Sequence, residues 1–118
     1  RFIMAWELSD DRPIYLQLME HIQGDILSGV YPLGGKLPSV RDLAACASVN
    51  PNTMQKALSE LERSGLLYSQ RTSGRFVTED EQLIQSLQAS IAEKEIAEFL
   101  KKMERYGLKK EDIIKLIR

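Results

Sequence analysis

The dipeptide Asn50-Pro51 restricts this chain more than any other feature of its sequence. Asparagine is a strong helix N-cap, and proline at the first helical position gives up no internal hydrogen bond, so a helix is expected to start there. Upstream, Leu37-Pro38-Ser39 leads into another helix, with Ser39 suited to cap it. Leu43, Ala44 and Ala47 supply that helix with an apolar face, and it is expected to end near Ser48. In the helix that follows, Met54, Ala57, Leu58 and Leu61 fall at i, i+3, i+4 and i+7, a single core-facing stripe. Asn52, Gln55, Lys56 and Ser59 share the opposite face at the same spacing. Two helices joined by a tight turn, the second turning polar side chains outward, form the arrangement that places a helix in the major groove of DNA.

The remaining segments are short and well punctuated. From Pro13, a favoured first-turn residue, Ile14, Leu18, Ile22 and Ile26 recur every four positions, and Gly29 stops that helix. Tyr31-Pro32-Leu33-Gly34-Gly35 is a turn by composition. Gly65 closes the polar-faced helix; Leu66 to Gln70 and Arg75 to Thr78 then read as two strands joined by Arg71-Thr72-Ser73-Gly74, a hairpin with glycine at its tip. A long helical pattern starts at about Asp80, with Ile84, Leu87 and Ile91 in one phase. Ala92, Ile96, Phe99 and Met103 continue it after a shift of one residue, Gly107 ends it, and Ile113, Leu116 and Ile117 suggest a last short helix. Arg1 to Ile3 precede Met4, which reads as a natural start, and carry no function in this reading.

A chain of 118 residues holds one compact domain with a modest appendage. No apolar run approaches the roughly 20 residues of a spanning helix, and no secretory signal pattern is present, so the cytoplasm is the expected address and no membrane contact is expected. The single cysteine, Cys46, has no disulfide partner in the chain and reads as a small buried hydrophobe. His21 reads as a surface histidine, far in sequence from Cys46, and no metal or cofactor is expected. The net charge of −1 conceals a gradient. Residues 36 to 75 carry six cationic side chains (Lys36, Arg41, Lys56, Arg63, Arg71, Arg75) against three acidic ones (Asp42, Glu60, Glu62), a basic excess on the helix-turn-helix itself.

The major groove, about 12 Å wide, admits one helix whose early residues offer donors and acceptors to base edges while nearby cations meet phosphates. Asn52, Thr53, Gln55 and Lys56 are suitable types for that work, Lys56 being chosen from helical facing alone. The unpaired amides at the helix start, and those after Ser39, suit a phosphate, and Arg41 would reach a phosphate or a guanine.

Four linked motifs then give a specific resemblance. The run Lys36 to Ala44, the run Val49 to Leu58, Leu61-Glu62-Arg63-Ser64-Gly65-Leu66-Leu67, and Ser73-Gly74-Arg75-Phe76-Val77 together resemble the GntR family of bacterial transcription regulators over about residues 12 to 78. The resemblance implies a winged helix-turn-helix, with DNA contacts at Arg41, Asn50, Asn52, Thr53 and Gln55, and a wing contact at Gly74 flanked by Ser73, Arg71 and Arg75. The short tail and the Asn-Pro-Asn-Thr wording are most similar to the YtrA-type branch, which lacks a large effector domain and dimerises through C-terminal helices. The family more often has an acidic or polar residue where Gly35 stands, a departure that touches the local turn.

The fold class expected is therefore mainly α with a small β-hairpin wing: an N-terminal segment (1–12), a winged helix-turn-helix (13–78) and a C-terminal helical dimerisation tail (79–118). The function expected is that of a sequence-specific, non-enzymatic DNA-binding regulator, a repressor, acting as a homodimer on a palindromic operator. Leu87, Ile91, Ile96, Phe99 and Met103 are the expected dimer residues, since little chain remains to cover them otherwise. A small-molecule effector, if one binds, would sit at the dimer interface or between tail and domain. Each assignment has a plainer counterpart: a polar helix face is usually solvated surface, Arg71 and Arg75 would equally protect an edge strand, and a winged helix can serve protein interaction without DNA. Approximately 40 residues after the hairpin are too few for a catalytic domain of the kind some relatives carry.

Overall fold

The computed structural model describes residues 6–118; Met4 and the Arg1–Ile3 stretch before it lie outside the described residues. The element order is α1 (Ile14–Leu27), α2 (Val40–Ala47), α3 (Pro51–Arg63), β1 (Leu67–Gln70), β2 (Gly74–Val77), α4 (Glu81–Glu104) and α5 (Lys110–Ile117). The chain divides into two compact units, one ending at Glu81 and the other comprising Gln82–Arg118.

In the first unit α3 is the hub, packed against α1, α2 and β1. Its stripe is the centre of the core: Met54, Ala57, Leu58 and Leu61 are each at most 1% exposed. Leu18, Ile22 and Ile26 of α1, and Leu43, Ala44 and Ala47 of α2, are buried with them. Each fully buried leucine or isoleucine contributes about 1.5–3 kcal/mol relative to exposure, so the three helices are held together mainly by this cluster.

The turn between α2 and α3 is Ser48-Val49-Asn50. Ser48 adopts left-handed backbone (φ 57°), and the Ser48 and Val49 amides donate back to the carbonyls of Ala45 and Ala44 at 3.2 and 3.0 Å. This closes α2 abruptly and lets Asn50 begin α3 at once.

The hairpin pairs Leu67 with Val77, Tyr68 with Phe76, Ser69 with Arg75 and Gln70 with Gly74. Gly74, expected at the tip, is thus the first residue of β2, and the connecting loop is Arg71-Thr72-Ser73. Beyond the named strands the Thr78 amide still donates to Leu66 O at 2.9 Å.

A pairing that the sequence did not announce lies on the other edge of β2. Leu37 N donates to Arg75 O at 2.9 Å, Val77 N to Gly35 O at 2.9 Å and Gly34 N to Val77 O at 3.0 Å, with Lys36 bridged to Phe76. Residues 34–37 therefore act as a minimal third strand. Two glycines and one lysine carry no alternation of apolar and polar residues, so nothing local marked this segment as strand. The expected turn is also present, closed by Gly35 N to Pro32 O at 2.9 Å. A Cβ at position 35 would stand 3.0 Å from Pro32 O, so the acidic or polar residue more usual in the family would need this turn to open slightly.

The N-terminal segment is tied to α1 by Gln17, only 7% exposed on an otherwise apolar face. Its Oε1 accepts from Ser9 N at 2.8 Å, while its Nε2 donates to Ser9 O at 2.8 Å and Arg12 O at 2.9 Å. Two further expectations need correction. His21 is half-buried, stacked on Trp6 with ring centroids 3.8 Å apart and its Nε2 3.5 Å from Asp25 Oδ2, so it has partners and is not simply a surface side chain. Cys46 is half-buried, because the face of α2 that enters the core is that of Leu43, Ala44 and Ala47.

In the second unit α4 ends at a left-handed Gly107 (φ 78°), and α5 begins where Lys109 N donates to Asp112 Oδ2 at 2.8 Å. Ile84 and Ile113 are buried, whereas Ile96 (55%) and Phe99 (46%) remain exposed. Among the described residues no helix is long and apolar enough to cross a membrane.

Gln17→Ala removes three hydrogen bonds at once and leaves the Ser9 amide and carbonyl without their partner. We expect a loss of about 1–3 kcal/mol in urea unfolding; an unchanged midpoint would show that the N-terminal segment contributes nothing to the core.

Candidate nucleic-acid interface

The burial of the α3 stripe fixes which side chains α3 turns outward. Asn52, Gln55 and Lys56 are exposed and Thr53 is half-buried. Asn50 caps the helix: its Oδ1 accepts from Asn52 N at 2.7 Å and its carbonyl from Thr53 N at 3.0 Å. The Asn50 oxygen is therefore committed to the backbone, leaving its amide NH₂ as the group free to face a ligand. On α2, Ser39 Oγ accepts from Asp42 N at 3.1 Å, and Arg41 lies exposed in the first turn. Both helix starts carry the partial positive charge that favours an anion nearby.

Between the start of α2, the side of α3 and the hairpin runs an open groove of about 690 Å³, lined among others by Lys36, Ser39, Asp42, Gln55, Arg71 and Gly74. Lys36 was not among the site residues expected from sequence. The bridge to Phe76 brings it there, and its Cε would lie 3.2 Å from a Cβ at position 74. Gly74 has φ 115°, a backbone conformation that favours glycine, and a side chain there would also push the end of Lys36 aside by a few tenths of an ångström. The signal available in the sequence was the lysine's place directly before Leu37-Pro38-Ser39.

The structure sorts the cations of this region. Among the described residues, neither Arg41 nor Arg71 forms an ion pair. Arg75, in contrast, is engaged: its Nε donates to Glu62 Oε1 at 3.1 Å, and its side chain is 17% exposed. It braces the hairpin against α3. Lys56 Nζ sits 3.9 Å above the ring of Tyr15 on α1, a cation–π contact that draws it toward α1. Gln55 Nε2 donates weakly to Ser59 Oγ at 3.3 Å, leaving its carbonyl oxygen available. Ser73 is exposed in the loop beside Gly74.

Of the tail residues, Leu87, Ile91 and Met103 are half-buried and Ile96 and Phe99 exposed. The one-residue shift in phase separates Ile84, Leu87 and Ile91 from Ala92, Ile96, Phe99 and Met103, which form a second face. Among the described residues no three His, Cys, Asp or Glu side chains gather as a metal site.

Residues 14–77 match the model of the bacterial regulatory proteins of the gntR family. Over 68 residues the chain is 43% identical to the HTH-type transcriptional repressor YtrA of Bacillus subtilis; the match covers 58% of this chain and 52% of that protein, about half its length. A GntR family transcriptional regulator from Listeria monocytogenes superimposes with a TM-score of 0.85 at 39% identity, covering 93% of this chain and 96% of the other. AraR(DBD), solved in complex with operator ORX1, superimposes with a TM-score of 0.60 at 28% identity, covering 66% of this chain and 99% of that one.

The Glu62–Arg75 brace gives a pH signature. The Ser69 hydroxyl, opposed in part by desolvation and joined by Arg75, holds the Glu62 carboxyl below its usual range. Its contribution to stability is present at neutral pH and is lost as the pH falls below the ordinary glutamate range and through the lowered value. Wild type should therefore be more stable than Glu62→Gln at neutral pH, with the difference shrinking in acid; urea unfolding across pH checks this, and a gap independent of pH would exclude the brace.

Proposed function

The chain belongs to the GntR family of bacterial regulatory proteins, and from that membership we propose that it is a repressor acting as a homodimer on a two-fold symmetric operator. The observation that carries this reading is the capped start of α3. Asn52, Thr53 and Gln55 stand on its outward side, beside a groove holding Lys36 and Arg71 and across the turn from Arg41. Seated in the major groove, α3 would offer Asn52 and Gln55 to base edges, and Thr53 and the Asn50 amide to a phosphate or base. Arg41, Lys36 and Arg71 supply cations to the flanking phosphates, with Ser73 and Gly74 bringing the wing backbone close. Lys56 and Arg75 keep their places in the interface as partly engaged cations: Lys56 would leave Tyr15 to reach a phosphate, and Arg75 positions the wing.

Repression is supported by the repressor YtrA of Bacillus subtilis as a relative, and the operator complex of AraR(DBD) supports DNA as the ligand. Pairing is supported by the exposed Ile96 and Phe99, apolar side chains that one copy leaves in water. A two-fold pair would set two α3 helices about one DNA turn apart, or a multiple, and so read a palindrome. A protein of this kind works on the chromosome, in the cytoplasm.

The primary test is a mobility shift with DNA from upstream of the protein's own gene, at two salt concentrations and with unrelated DNA as competitor. A shift that survives competitor and weakens steeply with salt supports the reading; a shift abolished equally by any DNA, or none at all, favours a protein-interaction module. Arg41→Ala should cost about 1–3 kcal/mol in operator binding without changing the unfolding curve, and equal affinity would remove Arg41 from the interface. Phe99→Asp should yield monomer on a sizing column and lose most operator affinity, because the half-sites are no longer linked; a variant that stays dimeric would move the interface elsewhere.

A further inference from the structure

On α4 the apolar residues Ala92, Ile96, Phe99 and Met103 alternate at intervals of four and three, a seam of the coiled-coil kind on one face, and Tyr106 continues the spacing in the turn that follows the helix. Ile96, Phe99 and Tyr106 are 55%, 46% and 76% exposed. Along a single edge of this seam lie Glu95 and Glu98, then Lys102 and Arg105, each cation seven residues after its matching acid. Within α4, Lys102 lies two helical turns after Glu95, and Arg105 stands in the turn directly after the helix, so the same edge carries negative charge in one half and positive charge at its C-terminal end. All four side chains are exposed, and among the described residues none of them forms an ion pair, although Glu98 and Lys102 have the spacing of an intrahelical one. The reversal is part of a larger polarity: residues 101–118 hold seven cationic side chains against three acidic ones, in a chain whose net charge is −1.

We propose that two copies of the chain pair through this seam with their α4 helices antiparallel, Glu95 and Glu98 of each facing Lys102 and Arg105 of the other. This rests on the homodimer reading and adds its direction and its charge code. The argument is one of symmetry. A two-fold axis perpendicular to two facing helices reverses their direction and keeps the same edge of the seam uppermost on both. Near Phe99 as the crossing point, that operation lays the acidic half of one edge against the basic half of its copy, twice over. Parallel helices would instead bring different edges together, and Glu95 would face the apolar Leu100 edge of the partner. Opposite charges beside an apolar seam select orientation more than they add affinity, and like charges across it disfavour the wrong pairing.

The test uses the full chain in three variants, with dimerisation measured by sedimentation equilibrium at low and high salt and helix content checked by circular dichroism. Glu95→Lys with Glu98→Lys makes the edge wholly basic, and Lys102→Glu with Arg105→Glu makes it wholly acidic. Each should weaken the dimer by roughly tenfold at low salt, less at high salt, since several exposed pairs are lost and screening removes the remainder. The third variant carries all four changes, so the charges are exchanged, and it should recover wild-type dimerisation. A wild type that dimerises with none of the reversals weakening it would overturn the antiparallel seam while leaving the homodimer standing. Weakening without recovery in the exchanged variant would also overturn it. A monomeric wild type would remove the homodimer reading and this inference together.

Discussion

The burial of one four-residue stripe on α3 is the constraint from which the rest of this structure follows. Met54, Ala57, Leu58 and Leu61 are almost wholly excluded from water, and α1, α2 and β1 all pack on this helix. A helix fixed that firmly on one side has no freedom in what it shows on the other. The outward placement of Asn52, Gln55 and Lys56 is therefore a consequence of packing, and the surface they form inherits the rigidity of the core. The Asn50 cap and the Ser48 turn serve the same end, since they set where the helix starts and at what angle the chain enters it.

The hairpin is attached to this core by two different devices. On one side the Arg75–Glu62 pair links β2 to α3; on the other, residues 34–37 pair with β2 and cover its free edge. An uncovered strand edge invites pairing with other chains, and here a few backbone hydrogen bonds both protect the edge and carry Lys36 into the groove. The cost falls on conformational freedom: Gly34 and Gly74 both hold positive φ, and at Gly74 a side chain would also meet Lys36.

Charge in this protein is informative by its place and not by its sum. A net charge of −1 gives no hint of a nucleic-acid ligand. Yet among the described residues the cations near the groove include some with partners, Arg75 with Glu62 and Lys56 over Tyr15, and some without an ion pair, Arg41 and Arg71. An exposed cation without a partner loses little on meeting a phosphate, whereas a paired one must first give up its contact. The tail repeats the pattern along one edge of α4 and the turn after it, where Glu95 and Glu98 precede Lys102 and Arg105 and the proposed partner is a second copy.

The sequence by itself determined the helices and their inward faces. Periodicity at 3.6 residues, the Ser39 and Asn50 caps and the stop at Gly107 are local properties, and each helix appears where those signals lie, with ends shifted by no more than a residue or two. The linked motifs from Lys36 to Val77 fixed the family and the winged architecture for the same reason, since most of that pattern is core and cap chemistry. Tertiary structure decided what depends on residues distant along the chain. It paired residues 34–37 with β2, which offered them backbone partners; it turned Gln17 inward, because Ser9 and Arg12 present backbone groups there; and it gave His21 the ring of Trp6. It also divided the cations into paired and unpaired. Hydrogen bonds and ion pairs of this kind join segments whose separation carries no periodic trace, so a chain read residue by residue shows the donors and acceptors but not which of them meet.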